Sequence, residues 1–197
     1  FGELKSKMYG VLGNHDYYGI IDYQINNPNL YKIPNNYYKF EYKNYDILMI
    51  DTQILASEMD GLSFHVINNL PIDLYIDKKN VLTESKYNHL FWLDNELTKI
   101  NKNNRIPIVI GHYPIYSGGM YKRYNNNNKL LECLLPLFIK HDVPLYLSGH
   151  DHISQVSNFN IDKLNKMFKT CTAVDPIVKQ LFPEIDNCTE LYKDYKL

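Results

Sequence analysis

The sequence predicts an α/β sandwich whose functional loops gather at one end of a sheet. Short apolar runs alternate along the chain with longer segments of helical periodicity, the order that builds a sheet covered by helices. Three of those runs break abruptly into Gly-Asn-His or Gly-His, so histidine-bearing loops follow three separate strands.

Met8-Tyr9-Gly10-Val11-Leu12 reads as a buried strand that delivers Gly13-Asn14-His15-Asp16. Aromatic and branched residues from Tyr37 to Tyr42 and from Tyr45 to Asp51 flank Lys43-Asn44, the pattern of a hairpin. Between Ser85 and Asn101, Leu90, Leu93, Leu97 and Ile100 recur at steps of three and four, one apolar face of a helix that Thr83 or Ser85 is placed to cap. Ile106-Pro107-Ile108-Val109-Ile110 is a second buried strand, ending in Gly111-His112. A second helix follows from Leu130 to His141, with a kink expected at Pro136. Pro144-Leu145-Tyr146-Leu147 is a third strand, ending in Ser148-Gly149-His150-Asp151-His152. The asparagine tract Asn125 to Asn128 and the pair Asn103-Asn104 are expected in solvated loops.

The 197 residues, 45% of them hydrophobic, suffice for one compact domain with its own core, residues 1–197. Lys+Arg 21 against Asp+Glu 22 gives a net charge of -1 without long like-charged blocks, which argues against nucleic acid or an acidic membrane as the main partner. The sequence has no apolar run of membrane-spanning length. It opens on Phe1 without a basic-then-apolar leader, which reads as a start altered by processing or truncation. Cys133, Cys171 and Cys188 leave one thiol over, and the pairing of Cys171 with Cys188 is an open alternative. Asn187-Cys188-Thr189 fits a glycosylation sequon.

The histidine loops carry the chemistry. Neutral imidazoles bind iron, zinc and manganese, and amide or carboxylate oxygens complete the shell. A glycine before each ligand permits a sharp turn at the strand end. His150 and His152, two apart, share a face if the strand persists and then serve two neighbouring ions. Asn14 offers a carbonyl oxygen, His15 points elsewhere, toward substrate, and Asp16 accepts a hydrogen bond from an imidazole or from backbone. Any one histidine at a strand end is more often ordinary structure than a ligand; three such ends together are not. His65, His89 and His141 lack this context and read as surface or helix residues, and Phe91 and Trp92 read as core.

Gly13-Asn14-His15-Asp16, Gly111-His112-Tyr113-Pro114 and Gly149-His150-Asp151-His152 resemble the last three of five motifs of the calcineurin-like metallophosphoesterases. The longer strings Val11 to Gly19 and Leu145 to His152 resemble the tartrate-resistant, mammalian-type purple acid phosphatases, and Met49-Ile50-Asp51-Thr52 and Phe91-Trp92-Leu93 are similar to residues of that family. The resemblance, which runs from Met8 to about Gln155, implies a β-sandwich of two sheets flanked by helices, with the N-terminal portion of the domain missing.

It also implies an acid phosphatase with a binuclear centre: iron with a second iron, zinc or manganese, whose bound hydroxide attacks a phosphate-ester substrate in line. By motif, Asn14, His112 and His150 bind the divalent ion and His152 the ferric ion. His15 contacts the phosphoryl oxygens and is the candidate acid for the leaving alcohol. The family's first two motifs do not occur after Phe1, so this stretch alone is expected to be inactive. Tyr121 stands where the family often has a substrate-side histidine, and it donates a hydrogen bond but shuttles protons poorly near neutral pH. Cys133 lacks its usual partner near Ala56 and is expected as a buried thiol. A secreted or lysosome- or vacuole-like location follows from the same resemblance. Phosphodiesterase activity and a catalytically inactive, phosphatase-like anchor remain as alternatives; intact ligands in all three motifs favour an enzyme.

Overall fold

The computed structural model describes residues 8–25, 27, 31–56, 78–117, 125–156 and 176–181. Tyr121, His65, Cys171, Cys188 and the sequon at Asn187 lie outside them. The elements run β1 (Tyr38–Tyr42), β2 (Tyr45–Met49), α1 (Thr52–Ala56), α2 (Lys78–Lys102), β3 (Ile106–Ile110), α3 (Asn125–Lys140), β4 (Leu145–Leu147) and α4 (Pro176–Leu181). The strands form one sheet in the order β1-β2-β3-β4; of the two sheets expected, this is the one that the described residues make.

β1 and β2 are the expected antiparallel hairpin, closed by Tyr42 opposite Tyr45. Lys43 takes the left-handed conformation in the turn, with φ of 53°. Arg105, just before β3, clasps that turn: it donates to the carbonyls of Lys43 (3.1 Å) and Tyr45 (2.9 Å) and pairs closely with the buried carboxylate of Asp46. β2, β3 and β4 are mutually parallel, in a register that places Met49 beside Ile110 and Ile110 beside Leu147. All three strands therefore end level, and the segments that follow them leave the sheet at one edge. That edge is where parallel α/β sheets bind ligands.

Alternation along β2 divides the core. Leu48 and Ile50 face one cluster with Leu90, Leu93, Leu97, Ile100, Val109, Leu130, Leu134 and Leu137. Met49 faces the other with Leu12, Tyr17, Ile33, Tyr38 and Ile54. The four apolar positions expected on the α2 face are all buried, each to 1% exposure or less. Each buried leucine there contributes roughly 1.5–3 kcal/mol, and Leu93→Ala would cost about 2–5 kcal/mol because the hole cannot fully collapse.

Several boundaries differ from expectation. α2 starts at Lys78, so Thr83 and Ser85 lie inside it and not at its N-terminus; no proline or glycine intervenes to stop a helix already propagating. α3 starts at Asn125 and so takes in the whole asparagine tract expected in a solvated loop. α3 does continue through Pro136, as expected. The strand expected at Met8–Leu12 is reduced to one parallel bridge, Tyr9 with Lys32, because Pro34 cuts its partner segment short. Tyr9 instead stacks on Phe40, with ring centroids 4.0 Å apart. Asn104 and Asp142, with φ of 52° and 50°, turn the chain after α2 and α3. Cys133 is buried, as expected, its Sγ directed at the Leu130 carbonyl. Among the described residues no helix is long and apolar enough to cross a membrane.

Candidate metal centre

Asn14 sits in a tight turn rather than on a strand. The Gly13 N–H donates to Asp16 Oδ2 at 2.7 Å, and the Asp16 N–H to the Gly13 carbonyl at 3.1 Å. Asp16 thus takes the backbone option of the two expected for it. A short 3-10 turn follows at Asp16–Tyr18, and Tyr17 drives its ring into the core beneath. His15 remains exposed, edge-on to Tyr18 with centroids 4.9 Å apart.

His112 leaves β3 through Gly111, where close approach excludes a side chain: a Cβ there would stand 2.5 Å from both Thr52 Cγ2 and the Tyr146 hydroxyl. The His112 and Tyr113 N–H groups both donate to Thr52 Oγ1, at 3.2 and 3.0 Å. The Tyr113 side chain donates to Gln53 (2.6 Å), and Tyr146 donates to the Tyr113 carbonyl (2.6 Å). The histidine loop after β3 is thereby fixed from α1 on one side and β4 on the other.

After β4 the chain does not continue as a strand, so His150 and His152 do not share a face by strand alternation. Both adopt the left-handed conformation, with φ of 66° and 52°. The Asp151 N–H reaches back to the Gly149 carbonyl at 2.8 Å, making His150 the centre of a three-residue turn. Such geometry is uncommon for a residue with a Cβ and is found most often where function demands it. No glycine among the described residues has positive φ, which corrects the expectation that glycines make these turns. Gly149 has open space where its Cβ would be. The buried Asp151 carboxylate anchors the turn by accepting from Ser117 in a close contact and from Gln155 at 3.2 Å.

These loops bring three donor atoms together. Asn14 Oδ1 lies 2.9 Å from His112 Nε2, which lies 3.2 Å from His150 Nδ1. Two donors bound to one ion at about 2.1 Å stand about 3.0–3.4 Å apart, so this spacing suits one metal ion. Burial, then the neighbouring His150, pushes His112 down to about 4, and burial also lowers His150. Charge on His15 and His152 acts in the same direction on both, which puts those exposed side chains within electrostatic reach. Both imidazoles are therefore neutral at neutral pH, the form that binds metals. For a second ion the described residues offer His152 alone, short of the oxygen-rich set a ferric ion takes. Among them no three His, Cys, Asp or Glu side chains form a metal cage; the third donor here is an amide oxygen. Tyr121, expected near substrate, is outside the described residues.

Sequence reasoning left Thr52 and Asp51 without a role, although their position directly after a strand that parallels the two histidine strands was a usable signal. Of the histidines read as surface or helix residues, His89 lies in α2 and His141 directly follows α3, but neither is at the surface. His89 is fully buried, stacked on Tyr37 at 4.2 Å, and neither ring nitrogen has a hydrogen-bond partner among the described residues. His141 is 5% exposed and bonded through Nε2 to Asp94 at 2.5 Å.

Comparison with known proteins bears on this arrangement. A family model described as calcineurin-like phosphoesterase matches residues 1–154. Purple acid phosphatase 7 of Arabidopsis thaliana is 30% identical over 161 residues, which are 77% of this chain and 44% of that protein. Tartrate-resistant acid phosphatase type 5 of Sus scrofa is 28% identical over 151 residues, 72% of this chain and 40% of the relative. The rabbit protein of the same name, from Oryctolagus cuniculus, is 28% identical over 153 residues, 73% and 42%. The chain thus spans less than half the length of these relatives. No solved structure gives a significant match.

Proposed function

This chain belongs to the calcineurin-like phosphoesterase family, and from that premise we propose that the protein is a metal-dependent acid phosphatase acting on phosphate monoesters. The observation that carries the reading is the convergence of Asn14, His112 and His150 at the spacing of ligands to one ion. In this reading Asn14, His112 and His150 hold the divalent ion of a binuclear centre and His152 contributes to the ferric site, the second metal being iron, zinc or manganese. When bound, the ions supply Lewis acidity toward the phosphoryl oxygens and an activated water.

The chain's own residues do the rest. Neutral His112 and His150 present lone pairs without first losing a proton. His15, exposed beside them, contacts the phosphoryl group and hands a proton to the leaving alcohol. Tyr121 donates a hydrogen bond to the substrate. The names of the relatives support the monoester over the diester, and a secreted or vacuole-like setting accords with them.

The test is hydrolysis of p-nitrophenyl phosphate against bis(p-nitrophenyl) phosphate by the full-length protein, with its metal content measured in parallel. Two metals including iron and a higher rate on the monoester support the proposal. A higher rate on the diester makes the protein a phosphodiesterase, and absence of both metal and turnover in folded protein makes it a binding module.

A further inference from the structure

The residues immediately after β2 touch both metal-facing loops. Asp51 is fully buried; its Oδ1 accepts from the N–H groups of Gln53 (3.0 Å) and Ile54 (3.3 Å), which caps α1. Its Oδ2 accepts from the Tyr17 hydroxyl in a close contact and from Asn36 at 3.3 Å. Tyr17 belongs to the turn that begins at Asn14. The next residue, Thr52, also has no exposed surface, and its Oγ1 accepts from the backbone of both His112 and Tyr113. One dipeptide thus holds the Asn14 loop with its first side chain and the His112 loop with its second.

We infer that Asp51 and Thr52 are positioning residues that set the separation between Asn14 and His112. The inference rests on the metal-site reading above. Neither residue contacts the donor atoms. Each acts through a neighbour: Asp51 through Tyr17, Thr52 through the His112 backbone. A buried N–H that loses its acceptor must find another, and the loop moves to find it. With donors 2.9 Å apart, a shift of even half an ångström takes one of them out of bonding range of a shared ion.

Thr52→Val removes the acceptor and keeps the volume; Thr52→Ser keeps the acceptor and loses a methyl group. The measurement is Mn²⁺ affinity by isothermal titration calorimetry on metal-stripped full-length protein. For Thr52→Val the dissociation constant should rise about 10–100-fold, the usual cost of losing a group that orients a ligand, and Thr52→Ser should stay within about threefold of wild type. A purely packing role predicts the reverse order, since serine leaves the larger gap, and that order would overturn the inference. Tyr17→Phe, which withdraws the hydroxyl from Asp51, should weaken binding in the same direction and serves if Thr52→Val does not fold. Wild type that binds Mn²⁺ with Thr52→Val equal to it overturns the positioning role alone. Wild type that binds none overturns the metal-site reading and this inference with it.

Discussion

The imidazole of His112 rests directly on Gly13: a Cβ added to that glycine would come within 2.9 Å of ring atoms Cε1 and Nδ1. The contact joins two loops far apart in sequence and lets Asn14, the residue after Gly13, reach His112 Nε2. Space, not backbone conformation, is what demands glycine here, since its φ is not positive. Gly13→Ala should push the ring away and weaken divalent-metal affinity at least tenfold, with a stability cost of about 1–3 kcal/mol from overpacking. Wild-type affinity in calorimetry would show that the ring yields freely.

The two glycines that directly precede His112 and His150 make a sharper contrast. Gly111→Ala should destabilise by about 1–3 kcal/mol, because its Cβ would strike Thr52 and Tyr146, both held by hydrogen bonds. Gly149→Ala should stay within about 0.5 kcal/mol of wild type, there being nothing within 4 Å of the new methyl. Urea unfolding of the two variants checks this, and equal losses would contradict the packing described for Gly111.

His150→Ala removes a donor but keeps the Cβ, so the cost of the left-handed conformation at this position is unchanged. Metal content should fall and turnover on p-nitrophenyl phosphate should drop at least a hundredfold, while folding stability changes little. Retained turnover would mean that His150 is not a ligand.

Much of this was legible in the sequence because it depends on local pattern. The Lys43-Asn44 hairpin, the Ile106–Ile110 strand and the Leu90, Leu93, Leu97, Ile100 stripe follow from periodicity and turn chemistry, and the structure has them. The histidine loops were visible as Gly-His breaks at strand ends. What escaped depends on tertiary contacts. The turn at His150 arises from a hydrogen bond across it and from the anchored Asp151, not from its glycine. Thr52 acquires a role only because β2 ends level with β3. His89 looks like any polar residue on a helix until Tyr37, remote in sequence, stacks over it.

That burial makes His89 an acid-sensitive point in the fold. With no partner among the described residues to stabilise its charged form, burial pushes it from 6.5 down to about 3. The folded state therefore binds fewer protons than the unfolded state between those values, so stability is complete above about pH 6.5 and declines as pH falls through that window. The slope from this one group is about 1.4 kcal/mol per pH unit. His89→Phe keeps an aromatic ring against Tyr37 and cannot take up a proton, whereas His89→Ala would leave a cavity as well. Comparing His89→Phe with wild type cancels every other titrating group, including His112 and His150. In urea unfolding the variant's stability relative to wild type should rise steadily from pH 6.5 toward pH 4, by roughly 1.4 kcal/mol per unit. Parallel curves over that range would mean that His89 is protonated in the fold, with a partner for its charge.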